Sequence, residues 1–418
     1  MLLDTNEPHG VRADELSADP VREFYTAHPY PPPVDNLDRA LDEWRADPNR
    51  GRAEHCLFWP DRPYHADLDV LVAGCGTWQA AKFAITHPES RVVGIDVSST
   101  SIEHTEQLKG KYDLTNLELL RLSVEQAGDL DRDFDLIVCT GVLHHLAAPD
   151  AGLRALRAAL RPRGAMYLMV YAPYGRAGVY MIQDYCRRLG VGTSAREIED
   201  LLGTLNALPH DHPLVRLLQG SRDASDPDAL ADALLNPRDR AYSVPQLYDC
   251  LERNGLTLTR WYWQAPYLPD CGAMAATPHA VRLASFPARE QHAAMELWRG
   301  TMTTHSVIVR RGDASESAAT ISFDAEGWHQ YVPLRLPWTR LIEESLPPGA
   351  AGALINRSHP FRDLVLILTP QERRLFDRVN GHRRIRDIVD TGQLDAARMF
   401  FEKLWRYDQI VFDASKDH

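Results

Sequence analysis

The sequence predicts an α/β protein: a largely parallel sheet with helices on both faces, a helical insertion, and a small α+β unit in the last hundred residues. Three stretches carry that prediction. Val70–Asp96, VLVAGCGTWQAAKFAITHPESRVVGID, sets a glycine turn between an apolar strand and a helix, then ends a second strand on an acid. Residues 133–147, DFDLIVCTGVLHHLA, read as a further buried strand with a polar, glycine-containing exit. RALRAALRPRGAMYLMVY reads as an amphipathic helix, a Pro162/Gly164 turn and another strand. Alternating strands and helices of this kind mark parallel strands joined by crossover helices.

The elements follow in chain order. Residues 1–66 contain REFYTAHPYPPPVDNLDRALDEWRADP, where consecutive prolines 31–33 favour an extended path and LDRALDEW reads as a short helix. Gly74 and Gly76 fall where strand VLVA gives way to helix QAAKFA, so the backbone can turn tightly and approach a ligand without Cβ hindrance. Asp96, twenty residues past Gly76, can accept both hydroxyls of a ribose. A nucleotide-like ligand is implied.

After AMYLMVY the chain does not return at once to the sheet. Residues 172–240 include YGRAGVYMIQDYCRRLGV and SAREIEDLLGTLNAL, both with helical apolar spacing, and form an insertion too long for an ordinary connection. A helical substrate cap over residues 176–240 is expected. SVPQLYDCLERNGL then predicts a helix capped by Ser243 and ended by Gly255, and LTLTRWYWQ and THSVIVRR predict a closing antiparallel pair. RGDASESAATIS, residues 311–322, is small and polar and marks a domain boundary. Beyond it three helical segments and a strand are expected, the first started by Thr369, Pro370 and Glu372 and stopped by Gly381.

The ordered set AGCGT, GIDVS, FDLIVCTGVLHHL and LRPRGAMYLMVY resembles class I S-adenosylmethionine-dependent methyltransferases, closely over residues 67–175 and more loosely over 240–311. The resemblance implies a Rossmann-like mixed seven-stranded sheet with S-adenosylmethionine as cofactor and S-adenosylhomocysteine as product. It places Ala73, Gly74, Cys75, Gly76 and Thr77 around the methionine part, with Gln79 nearby. Asp96 would hold the ribose, Val97, Ser98, Ser123 and Val124 the adenine, and Thr140 and Gly141 the floor beneath the sulfonium. The N-terminal segment, residues 1–66, is expected to fold over the cleft as a lid. Residues 323–418 look like a winged-helix module and also resemble peptide-binding modules of enzymes that modify ribosomal peptides. Two departures from the pattern stand out: Val72 replaces a common strand-end carboxylate, and Trp78 a common glycine.

Methyl transfer from a sulfonium asks the protein to align the acceptor, exclude water and take up a proton where needed. His145 is the first candidate base because it follows the cofactor-floor strand, and His144 the second; the competing reading is a histidine that braces the loop. Tyr25, Tyr30, Tyr171 and Tyr242 are candidate substrate-binding aromatics. An O, N or C nucleophile of a small organic metabolite or natural-product intermediate is the expected acceptor, a peptide or protein captured with the C-terminal module the alternative, and a non-catalytic ligand-binding protein with Trp78 blocking the pocket the third reading.

Composition bounds the partners. At 418 residues the chain has room for two or three cored domains, and a formal charge of −12 argues against a general nucleic-acid binder. The start, MLLDTNEPHG, lacks a basic region followed by an apolar core, and no apolar run approaches spanning length, so a bacterial cytoplasmic protein without membrane contact is expected. The six cysteines form no CxxC pair and read as reduced, buried thiols. His210 and His212, in LPHDHPL, read as part of a rigid loop, with no metal site expected.

Overall fold

The structure, a computed structural model, describes residues 19–220, 225–313, 321–324, 326–390 and 392–415. Most of the polar 311–322 stretch lies outside the described residues.

The large sheet contains β1 (Asp69–Ala73), β2 (Arg91–Asp96), β3 (Leu117–Arg121), β4 (Phe134–Thr140), β5 (Leu160–Tyr171), β6 (Leu256–Trp261) and β7 (Thr304–Arg311), in the order β3-β2-β1-β4-β5-β7-β6. Strands β1 to β5 pair in parallel, while β7 runs antiparallel to both β5 and β6. Because β1 lies between β2 and β4, the strand order reverses there. A crevice therefore opens at the carboxyl ends of these strands.

Period-two alternation explains the two cores. Leu71, Ile95 and Ile137 face one side with Leu153, Leu156 and Trp261. Val70, Val72 and Val92 face the other, against Ala80 and Ala84 of helix Gln79–Thr86 and Leu57, Phe58 and Trp59 near the end of helix Arg50–Phe58. Strand β5 begins earlier than the Pro162/Gly164 turn suggests. Its pairing with β4 is irregular, passing from Phe134 opposite Leu160 to Leu136 opposite Ala165.

Helices Ala177–Leu189, Ala195–Leu205, Pro213–Gly220 and Pro227–Leu235 form the insertion, with a core of their own around Val179, Ile182, Leu201 and Leu230. Phe24 of the N-terminal helix Pro20–Ala27 joins that core, so the first helix belongs with the insertion.

The C-terminal unit has an α+β composition. Helices Pro370–Asp377, Ile385–Ile388 and Leu394–Arg406 are followed by a strand, Ile410–Asp413. Four further strands precede them: β8 (Val332–Arg335), β9 (Thr339–Ile342), β10 (Gly352–Asn356) and β11 (Val365–Leu368). With Ile410–Asp413 as β12, they build a three-stranded sheet β11-β10-β9 and a β12-β8 pair. Thr369 and Glu372 make the expected capping box, but the first helix ends at Asp377, before Gly381. This unit is fused to the large sheet. Leu334, Leu336 and Val411 share one core with Leu57 and Phe58, and Trp338 packs edge-on against Trp263. Arg52 pairs with Asp413 at 2.6 Å and Arg260 with Asp408 at 2.8 Å.

Candidate active site

A cavity of about 480 Å³ lies at the strand ends, walled by the N-terminal segment, the glycine turn, the exits of β2 and β4, and the insertion. Gly74 and Gly76 adopt φ +70° and +55°, left-handed values that favour glycine. The turn is also crowded from above. A Cβ on Gly76 would meet Pro31 Cδ at 2.8 Å and the Tyr30 carbonyl at 3.2 Å. The N-terminal segment is held there by hydrogen bonds from Thr77 Oγ1 to the Pro31 carbonyl (2.7 Å), Ser98 Oγ to the Tyr25 carbonyl (3.0 Å) and Thr100 Oγ1 to the Thr26 carbonyl (2.9 Å).

Asp96 is oriented by backbone. Its oxygens accept from Gly76 N and Ser98 N, both at 2.9 Å, so the carboxylate is fixed at the cavity wall. Burial raises its pKa, and the backbone donors of Ser98, Gly76 and Val97 work against that rise. On the floor, Gln79 Nε2 donates to Thr140 Oγ1 at 2.8 Å, next to Gly141 with φ +78°. Val97, Ser123 and Val124 line the same cavity.

Other expected cofactor residues sit one layer back. Ala73, Cys75, Thr77 and Ser98 are fully buried and do not line the cavity; Thr77 and Ser98 instead tie down the covering segment and the Asp96 loop. Val72 is buried within β1. Trp78 forms part of the wall, with Lys82 Nζ 5.4 Å from its ring centroid.

The far end of the cavity is built around a residue the sequence reading missed. Asp232, on helix Pro227–Leu235, is buried and accepts from Tyr25 Oη at 2.6 Å and Tyr171 Oη at 3.5 Å. Asn236 Nδ2 donates to Tyr25 Oη at 3.0 Å. Burial first, and then the Asp232 charge, raises the pKa of both tyrosines well above the usual value, so they remain protonated donors. Arg176, also absent from the sequence reading, lines this end. Its guanidinium carbon is 3.5 Å from the Tyr171 ring centroid, and the His144 ring is stacked at 3.8 Å from the same centroid. Two groups so close to one centroid must occupy opposite faces, and Tyr171 is clamped between them.

The two histidines part company. His145 lines the cavity, and its Nδ1 is 2.6 Å from the Arg238 carbonyl. A carbonyl can only accept, so Nδ1 carries the proton and the buried Nε2, which has no hydrogen-bond partner among the described residues, is the basic nitrogen. His144 does not line the cavity. Burial, reinforced by His145 and Arg176, pushes its pKa well down, and packing against Tyr171 is its observable role. Tyr30 lines the cavity, whereas Tyr242 belongs to the sheet core beneath it, its backbone N–H bonded to the Tyr171 carbonyl. Tyr242 is thus removed from the substrate set because its ring fills core volume.

A seven-stranded sheet with reversed order at β1, a glycine turn after that strand and an acid closing the next defines the class I S-adenosylmethionine-dependent methyltransferase fold. Residues 71–166 match the methyltransferase domain family. An uncharacterised protein from Synechococcus sp. is 30% identical over 267 residues, covering 60% of this chain and 61% of its own length. A tRNA U34 carboxymethyltransferase from Desulfotalea psychrophila is 31% identical over 127 residues, 30% of this chain and 38% of its own. The chain therefore spans about three fifths of the first relative and less of the second. The structure of PKMT2 from Rickettsia typhi in complex with AdoHcy aligns with a TM-score of 0.60 over 92% of this chain and 77% of that one, at 18% identity, a likeness of fold.

Proposed function

We propose that this chain binds S-adenosylmethionine between Asp96 and the Gly74–Gly76 turn and transfers its methyl group to a nitrogen or oxygen nucleophile of a small organic acceptor. The observation that carries this reading is the continuity of one cavity from Asp96, past Thr140 and Gly141, to His145 and the Tyr25–Asp232–Tyr171 group. The residues fit the cofactor. The left-handed glycines let backbone approach its amino-acid end, and the fixed Asp96 carboxylate suits a ribose diol. When bound, the sulfonium supplies an activated methyl group with a good leaving group.

The chain's own residues supply the rest. Asp232 and the two tyrosine hydroxyls orient an acceptor that can both donate and accept hydrogen bonds. His145 Nε2 takes the proton that the nucleophile loses, its tautomer set by the Arg238 carbonyl. The N-terminal helix and the insertion exclude water. The non-catalytic reading needs Trp78 to fill the pocket, and Trp78 is wall rather than plug. A second reading, an acceptor side chain on a peptide, draws on the exposed stripe Met181, Tyr185 and Leu189 along helix Ala177–Leu189, the first helix of the cap.

Calorimetric titration with S-adenosylhomocysteine tests the cofactor site. Asp96→Ala removes charge-assisted hydrogen bonds of roughly 1.5–3 kcal/mol each, so affinity should drop at least about tenfold. Equal affinity in a folded variant would refute the ribose assignment.

A further inference from the structure

A second cavity, of about 240 Å³, lies along β6, the edge strand of the large sheet, where that sheet meets the C-terminal unit. Leu57 and Phe58 from the N-terminal side, Leu258 and Leu268 from the sheet side, and Val411 and Phe412 from β12 make it mostly apolar. Its ordinary polar groups are already satisfied. Gln264 Nε2 donates to the Trp405 carbonyl at 2.6 Å and Thr259 Oγ1 to the Ile308 carbonyl at 3.0 Å. His292 Nδ1 accepts from Trp261 Nε1 and Tyr248 Oη, both at 2.9 Å.

Two guanidiniums in the wall are not satisfied. Arg260 and Arg310 each keep a buried Nε without a hydrogen-bond partner, and no other lining side chain has a buried nitrogen or oxygen in that condition among the described residues. Arg260 pairs in the sheet with Ile308, two residues from Arg310 along β7, so both side chains leave the same face. Arg260 has a counter-ion in Asp408. Arg310 does not: it is 8% exposed, its Nη2 donates to the Phe58 carbonyl, and it forms no ion pair among the described residues. Burial lowers its pKa, and the favourable field of Asp61 is opposed by Arg163. A buried cation with a free donor and no carboxylate in ion-pair contact is costly unless an anion completes it.

We propose that this cavity binds a monocarboxylate with a compact apolar body, the carboxylate held by Arg310 with the Arg260 Nε, and the body by Leu57, Phe58, Leu268 and Phe412. One such ligand would touch both the large sheet and β12, so its binding would strengthen the joint between them.

Titration of the full chain with octanoate and with 1-octanol, followed by calorimetry and by thermal melting, tests the proposal. Octanoate should bind at one site and raise the melting temperature, with 1-octanol at least about tenfold weaker, because a hydrogen-bonded charge is lost. Arg310→Met should weaken octanoate by a similar factor and leave 1-octanol unchanged. Arg310→Lys should retain most of the preference, and Leu268→Trp should abolish binding of both by filling the cavity with the charges intact. Equal octanoate affinity in folded Arg310→Met, or no octanoate binding by the natural chain, would overturn it.

Discussion

Asp96 and His292 show how far a single side chain's partners determine its behaviour. Asp96 was readable because its spacing from the glycine turn is local, and its two backbone donors come from residues on either side of that spacing. His292 left no such mark. Its Nδ1 accepts from Trp261 and Tyr248, and protonation would expel both donors, in accord with a pKa lowered by burial to about 4. Its folded pKa lies below the unfolded value near 6.5, so the unfolded chain takes the proton first. Stability from this group is complete above about pH 6.5 and is lost as pH falls toward 4, amounting to about 2 kcal/mol at pH 5. Urea denaturation at pH 7 and pH 5 should show that loss reduced in His292→Gln, whose neutral amide cannot titrate; an unchanged pH dependence would remove His292 from the account. At the reacting end, His145→Gln should lower kcat by roughly 10²–10⁴ while leaving S-adenosylhomocysteine affinity intact, a split that separates proton transfer from cofactor binding. Asp232 explains why half of this site was illegible. Its tyrosine partners are 207 and 61 residues away, and the second of two Asp in DALADALL looks like any helix-surface acid.

At the level of elements, legibility follows locality again. The capping boxes at Ser243 and Thr369 are short-range patterns, and both helices begin where those patterns put them. Strands β8 to β11 are four or five residues long, with too few positions to show an alternation, and they passed unread. The N-terminal helix is a further case. Its sequence shows amphipathic spacing but gives no partner, whereas the structure joins it to the insertion through Tyr25 with Asp232 and His28 Nδ1 with Asp228 at 2.9 Å. That cover and the glycine turn are in direct contact, so the turn should report on the cover. Gly76→Ala places a Cβ 2.8 Å from Pro31 Cδ, a clash relieved by lifting the segment, on top of about 1–3 kcal/mol of left-handed backbone strain at φ +55°. Thr77→Val removes only the hydrogen bond to the Pro31 carbonyl, about 1 kcal/mol. Stopped-flow displacement should give faster S-adenosylhomocysteine release in both variants, more so in Gly76→Ala. Release at the natural rate from both would mean that the segment does not gate the site.

For the whole molecule, the polar stretch before residue 323 suggested a unit that could be detached, and the contacts argue for a fused one. Composition reports where a chain is small and polar; it carries no information on what the following segment packs against. Asp408 is fully buried and accepts from Arg260 Nη2 and from Ala265 N, both at 2.8 Å, while Asn356 Nδ2 donates to its carbonyl at 2.7 Å. Arg299 reaches Asp363 at 3.1 Å, and Gly272 N donates to Tyr407 Oη at 2.9 Å. Removing residues 320–418 would strip the partner from Arg260, a change that costs about 3–5 kcal/mol for a buried pair, and would expose Leu57, Phe58 and Tyr262. That loss is comparable with the whole stability of a typical domain, about 5–15 kcal/mol. The truncated chain should therefore aggregate or melt well below the full chain by circular dichroism, and cofactor affinity should fall with it even though Gly74, Asp96 and Thr140 are untouched. A soluble truncated chain with a native spectrum and the full chain's S-adenosylhomocysteine affinity would instead make the C-terminal unit an independent attachment.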